Sequence, residues 1–173
     1  LYYVTLICLL IYSYALLDPN IIIINHPLWT IFRNGMVQLG YYHRTISASI
    51  FIVLISLLSI LHIRILKKNK VDPIRLSLIT AGILLLSYPF LSRDLFNYMF
   101  DARILTMHHA NPYIHAALDF PNDQWLRFMH WTHRSYPYGP TFLPLTLIPS
   151  FLSLGKFVLN LLLFKAMFAC VYV

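Results

Sequence analysis

The chain has 173 residues, is 59% hydrophobic and 11% charged, and has a mean hydropathy of +0.68, whereas roughly a quarter of the residues in a soluble domain are charged. That excludes an ordinary soluble domain and marks an integral membrane protein. The net charge of +7 does not indicate a nucleic-acid binder, because Arg64, Lys67, Lys68, Lys70 and Arg75 crowd one short connection between apolar runs and no basic stripe alternates with exposed aromatics elsewhere.

A bilayer core about 30 Å thick takes about 20 apolar residues in a helix, and apolar runs over about 1–17, 46–66 and 74–91 are expected to span it. The first has neither a basic start nor a small-residue cleavage site, so it reads as a span rather than a signal peptide. The chain starts without a methionine and ends inside an apolar run, and it reads as a piece of a longer protein. Between the first two runs, Asp18 to Thr45 mixes short apolar pieces with Pro27, Gly35, Gly40, Trp29, Tyr41 and Tyr42, and is expected to lie along the membrane surface. The final run, from Thr141 to Val173, would be roughly 50 Å long as one helix. Gly155 and Lys156 interrupt it, so two spans are expected, about 141–154 and 157–173, the first kinked by Pro144 and Pro149.

Placing the Lys67 to Lys70 cluster in the cytoplasm puts 18–45 and 92–140 outside by parity, with Lys156 inside. The fold class expected is therefore all-α, a multi-pass transmembrane helical bundle in one membrane domain of the cell membrane, whose extracytoplasmic loop 92–140 bears short interfacial helices. No internal repeat or Gly/Ser linker divides it. Cys8 and Cys170 sit in apolar runs and read as small buried hydrophobes, with no disulfide framework or zinc ligand set.

Four of the six acidic residues, Asp94, Asp101, Asp119 and Asp123, lie in the loop 92–140, and chemistry is expected there. A helix should start near Ser92, with Ser92 as its N-cap and an acid in the first turn. Asp94, Asn97, Tyr98 and Asp101 would share one face, a polar stripe suited to a helix lying at the interface. Asp94 as a helix-dipole partner and Asp101 as a surface ion pair would explain the same residues without chemistry. Seven residues of helix separate the two acids by about 10 Å, too far to act on one atom, so one would be a base and the other a binder. Asp94, nearer the preceding span, is the better base.

Arg93, Arg103, Arg127 and Arg134 can meet phosphate oxygens in a bidentate fork, or balance loop acids and lipid headgroups. His108, His109, His115, His130 and His133 match no ligand spacing, and no metal is assigned. His130, Trp131 and His133 suit either a sugar-binding face or an interfacial aromatic belt. In NPY and YPYGP, proline holds Asn111, Tyr113, Tyr136 and Tyr138 on rigid turns.

Taken in order, SRDLFNYMFDARIL, NPY, a tryptophan-bearing segment and YPYGP leading into an apolar run resemble the polyprenol-phosphate-mannose-dependent mannosyltransferases of the GT-C superfamily, over roughly 92–140. The resemblance implies a lipid-linked sugar phosphate as donor, no certain cofactor, and an extracytoplasmic acid that activates the acceptor, here Asp94. The acid follows the third visible run, whereas the superfamily pattern commonly puts it after the first.

The reaction so implied is transfer of a sugar, mannose, from a polyprenyl phosphate to a hydroxyl of a glycan or lipid acceptor, with inversion. Asp94 would deprotonate the acceptor. Arg103 or Arg134 would hold the phosphate, Asp101, Asn97, Asn111, Trp131 and His133 would bind sugar hydroxyls or the ring, and Arg93, Tyr98, Tyr113 and Tyr138 would also bind substrate. Membrane lipid is the other partner, and nucleic acid is not one. Two rivals share these residues: a transporter or flippase of a lipid-linked or anionic substrate, favoured by Lys165 and the proline-bearing 141–154 run, and a non-catalytic membrane subunit.

Overall fold

The computed structural model describes residues 1–68 and 71–173; Lys70 of the basic cluster lies outside them. Among the described residues the secondary structure is entirely helical. Two compact units divide the chain, one formed by 1–90 with 171–173 and one by 91–170.

The first unit holds α1 (Tyr2–Ser13), α2 (Pro27–Val37), α3 (Arg44–Lys68) and α4 (Pro73–Leu85). Two starts are written locally. Pro27 and Pro73 occupy first-turn positions where a missing N–H costs nothing, and His26 Nδ1 and Asp72 Oδ1 accept the N–H of Leu28 and Ile74 at 3.2 and 3.1 Å. α1 packs on α3 through Tyr12, whose hydroxyl meets Ser47 Oγ at 2.8 Å and whose ring stacks on Phe51 at 5.9 Å. Gly40, in the π-helical turn Gln38–Tyr42, passes so close to the Ala15 carbonyl that an added Cβ would lie 1.7 Å from its oxygen; only a residue without a side chain fits there.

α3 alone, among the described residues, is long and apolar enough to cross a membrane; Ser47 is the one residue of it that is buried, and Phe51, Leu54, Ile55 and Leu58 are half-buried against the core of the unit. The other runs expected to span are apolar but shorter helices. The run expected over 74–91 ends as a helix at Leu85. Ser13 Oγ takes the Tyr88 N–H at 2.8 Å, and Pro89 biases Tyr88 to an extended backbone. The run expected over 141–154 is α6 (Phe142–Leu152), about 16 Å of helix with Pro149 inside it, too short to cross a 30 Å core. The segment 18–45, expected as a surface loop, is largely helical in α2 and the turn after it. Cys8 and Cys170, expected to be buried, are free thiols on exposed faces of their helices.

The second unit is built on α5 (Asp94–Thr106), α6 and α7 (Phe157–Tyr172), with two short 3-10 turns, Ala117–Asp119 and Gln124–Phe128. Phe96, Met99, Phe100 and Ile104 of α5 are buried. Phe157 closes the core, stacking on Phe96 at 6.0 Å and meeting Trp125 and Phe128 at 5.1 and 4.6 Å. α6 turns into α7 through Leu154 and Gly155, at φ +50° and +73°, the left-handed conformation that glycine adopts without penalty.

α5 departs from the expected surface helix. It starts at Asp94, two residues after Ser92, whose Oγ accepts the Asp94 N–H at 3.1 Å. Its polar face is not solvated either: Asn97 and Asp101 are 3% and 6% exposed. The loop 107–140 folds back over that face, so the stripe that sequence periodicity assigns to an interface is packed inside the unit.

Candidate active site

At the N-terminal end of α5, Ser92, Arg93, Asp94, His130 and Trp131 line an open cleft of about 640 Å³. Asp94 is half-buried and sits in the first turn, where the helix dipole favours its negative charge. Its side chain makes no hydrogen bond among the described residues, so the carboxylate is available to the cleft.

The opposite wall is tied to α5 by Asn97. Its Oδ1 accepts the backbone N–H of both His130 and Trp131, at 3.2 and 3.4 Å, while its buried Nδ2 has no partner among the described residues. Asn97, expected to bind sugar, thus holds the wall that faces Asp94. Asn97→Leu removes that acceptor and should raise the donor or acceptor KM about tenfold, the equivalent of roughly 1.4 kcal/mol. Asn97→Asp keeps the acceptor oxygen and should restore most of it, measured as separate KM and kcat values.

Trp131 carries further groups. Arg134 lies over its ring at 5.1 Å, His130 meets it edge-on at 4.8 Å and His133 at 6.1 Å. Arg134 also acts electrostatically on Tyr98 and Asp101. Asp101 has no ion pair or side-chain hydrogen bond among the described residues. Burial pushes its carboxyl up to about 7, against the opposing pull of Arg134.

An aromatic series continues from there. Tyr98 and Tyr138 have ring centroids 5.2 Å apart and hydroxyls 3.4 Å apart, and Tyr136 meets Tyr138 at 5.4 Å and Tyr113 at 5.2 Å. Burial raises the Tyr98 phenol, with the Tyr138 hydrogen bond and the charges of Tyr138 and Asp94 adding to it. Burial likewise pushes Tyr136 up to about 12, assisted by Tyr113, Asp101 and Tyr138. Asn111 Oδ1 accepts the Tyr113 N–H at 3.0 Å, and Pro112 O accepts the Tyr136 N–H at 2.8 Å, pinning the two proline turns to each other. Of the expected site residues, Arg93, Asp94 and Trp131 share the cleft; Asn97, Tyr98, Asp101, His133, Arg134 and Tyr138 lie in the network around it; Asn111 and Tyr113 join through Tyr136.

Arg103 is elsewhere. Its Nε donates to Asp123 Oδ2 at 2.6 Å and its guanidinium lies over Trp125 at 4.1 Å. His108 Nε2 bonds the same oxygen at 2.8 Å. Burial alone would raise the Asp123 carboxyl, but bonds from Trp125 N, Arg103 and His108, with the Arg103 charge, outweigh it and hold it below the usual carboxylate range. Nine residues of helix at 100° each put Arg103 about 14 Å along α5 from Asp94 and half a turn round. His130, which from sequence suits either a sugar-binding face or an interfacial belt and carries no assigned role, lines the cleft. Tyr136, read from sequence only as held on a rigid proline turn, enters the network beside Asp101, Tyr113 and Tyr138.

Among the described residues no group of three His, Cys, Asp or Glu side chains is placed to hold a metal ion. What the cleft can do is accept a proton at a carboxylate beside the Arg93 guanidinium and the Trp131 ring, over which Arg134 lies, an arrangement suited to a hydroxyl nucleophile and an anionic leaving group.

The family profile of the alpha-(1->6)-mannopyranosyltransferase N-terminal domain, MptA_B, matches residues 12–173. The chain belongs to this mannosyltransferase family. It is an enzyme of the GT-C type that transfers mannose, and the family together with α3 marks a membrane enzyme. No curated protein and no solved structure matches the chain significantly. The mannosyltransferase assignment spans both compact units, and every residue of the cleft and of the network around it lies within the matched range.

Proposed function

We propose that this mannosyltransferase takes mannose from a polyprenyl-phosphate donor and places it on the primary C6 hydroxyl of a glycan or lipid acceptor, at the extracytoplasmic face, with inversion at the anomeric carbon. The observation that carries the reading is the open cleft holding the Asp94 carboxylate between Arg93 and Trp131. The family description supplies the α-(1→6) linkage. Asp94 takes the proton of the acceptor hydroxyl as its oxygen attacks C1 of the mannose. The C1–O bond to phosphate breaks with its electron pair, and polyprenyl phosphate departs without needing an acid. This is the water-activating logic of inverting glycosidases with an alcohol in place of water.

Arg93 and Arg134 fit the charge collecting on the phosphate. Arg103, committed to Asp123, fits that role poorly. Trp131 and His133 offer an aromatic face and polar edge to the sugar, and Asp101, Tyr98 and Tyr138 border the same network, with Asn111 and Tyr113 bracing its far side. The extracytoplasmic assignment is supported by the basic cluster around the C-terminal end of α3, where Arg64, Lys67 and Lys68 would face the cytoplasm.

Single displacement makes an α product only from a β-linked donor. Full-length protein given radiolabelled β-linked polyprenyl-phosphate mannose should transfer label and release polyprenyl phosphate, and should leave the α-linked donor untouched. Equal use of both anomers would overturn inversion. Movement of intact donor across a vesicle, without bond cleavage, would instead favour a transporter.

A further inference from the structure

At the other end of α5, Arg103, His108, Gly155 and the segment Asp119–Trp125 line a second open cleft of about 600 Å³, within the roughly 300–1,000 Å³ usual for small-ligand sites. We propose that this cleft is a carbohydrate subsite, holding a non-reacting pyranose unit of the acceptor or product glycan. The inference rests on the mannosyl-transfer reading above, which requires the reacting sugar to be at Asp94.

Three observations assign the ligand class. First, the floor is pre-organised. Asp123, whose side chain is 2% exposed, takes Arg103 and His108 on one oxygen and the Trp125 N–H on the other at 2.9 Å. Second, the charge is already balanced. Arg103 and His108 direct donors at Asp123, and Asp119 adds a second carboxylate at the rim, so the cleft offers an anion such as phosphate no surplus cation. A neutral ligand rich in hydroxyls fits that balance. Third, the rim combines exposed hydrogen-bonding side chains, Asn122 and Gln124, with the apolar surfaces of Pro121 and Phe120, the latter stacked on His108 at 4.2 Å. Pyranose rings present the same mixture of hydroxyl edges and C–H faces.

Position decides which sugar this is. Asp94 and Arg103 are about 14 Å apart along α5 and on opposite sides of it, so a ring seated beside Arg103 is out of reach of the proposed base. It belongs to a remote part of a longer glycan and tethers the chain without reacting.

The test uses full-length enzyme with two probes, α-(1→6)-linked mannotetraose and mannose 1-phosphate, and reads binding by calorimetry. An Asn122→Ala/Gln124→Ala double variant, which removes two hydrogen-bonding side chains from the rim, should bind the tetraose on the order of tenfold more weakly and bind mannose 1-phosphate unchanged. Turnover on a monomannoside acceptor should also be unchanged. Asn122→Trp, which fills the cleft instead of emptying it, should give the same selective loss. Tetraose affinity equal in the wild type and both variants, no tetraose binding to the wild type, or loss of mannose 1-phosphate binding would each overturn the subsite. Repeating the titration in Asp94→Asn separates the two ideas: normal turnover in that variant sinks the Asp94 reading, whereas the tetraose result judges this cleft alone.

Discussion

Asp94→Asn in the full-length enzyme should lower mannosyl transfer on the order of 10²- to 10⁴-fold, the usual contribution of a positioned general base. KM for donor and acceptor should hardly change. The amide is nearly isosteric and can still accept a hydrogen bond, but it cannot carry away the acceptor's proton. The fold should survive, because the Asp94 side chain has no hydrogen-bond partner among the described residues and only the favourable helix-terminus charge is lost, about 0.3–1 kcal/mol. Single-turnover transfer from radiolabelled donor, beside a thermal melt of the same preparation, checks both halves. Normal turnover would remove Asp94 from the mechanism; a lost fold would make it a structural residue.

Asp101→Asn should stabilise the enzyme above neutral pH while impairing it. The Asp101 carboxyl is pushed up to about 7 from a reference of 3.8. Between about pH 4 and pH 7 the folded protein therefore holds a proton that the unfolded chain has released. Stability falls as pH rises through that window, and the full penalty, up to about 4 kcal/mol, is present above it. Asparagine keeps the shape and carries no charge, so melting temperatures of detergent-solubilised protein should be higher than wild type at pH 8, equal near pH 4, and less dependent on pH between. A raised KM alongside the gain would show that a costly buried acid is retained for use. Wild-type melting that does not fall from pH 4 to pH 8 would refute a desolvated carboxylate at this position.

Periodicity placed α5 well and misplaced its environment. Asp94, Asn97, Tyr98 and Asp101 do lie along a helix, but the period says which residues share a face and nothing of what covers it. Here the covering element is the loop from Met107 to Pro140, whose backbone N–H groups at His130 and Trp131 both donate to Asn97 Oδ1, so that Asn97 is buried beneath it. The same loop decides between the arginines. Arg93 and Arg103 are equivalent as sequence, yet Asp123, twenty residues further on, captures one of them.

Composition and motif order by themselves determined the helical class, the membrane character carried by α3, and the mannosyltransferase family, because hydropathy and local residue order survive any rearrangement of the loops. The break at Gly155 between α6 and α7 was legible too, since glycine acts there through its own backbone freedom. Only the tertiary structure decided which side chains share a cleft. Burial of Asp101, the clamp at Asn97 and the split between two clefts at opposite ends of α5 depend on contacts between residues distant in the chain. Their energies are set by the solvent and partners that folding removes or provides.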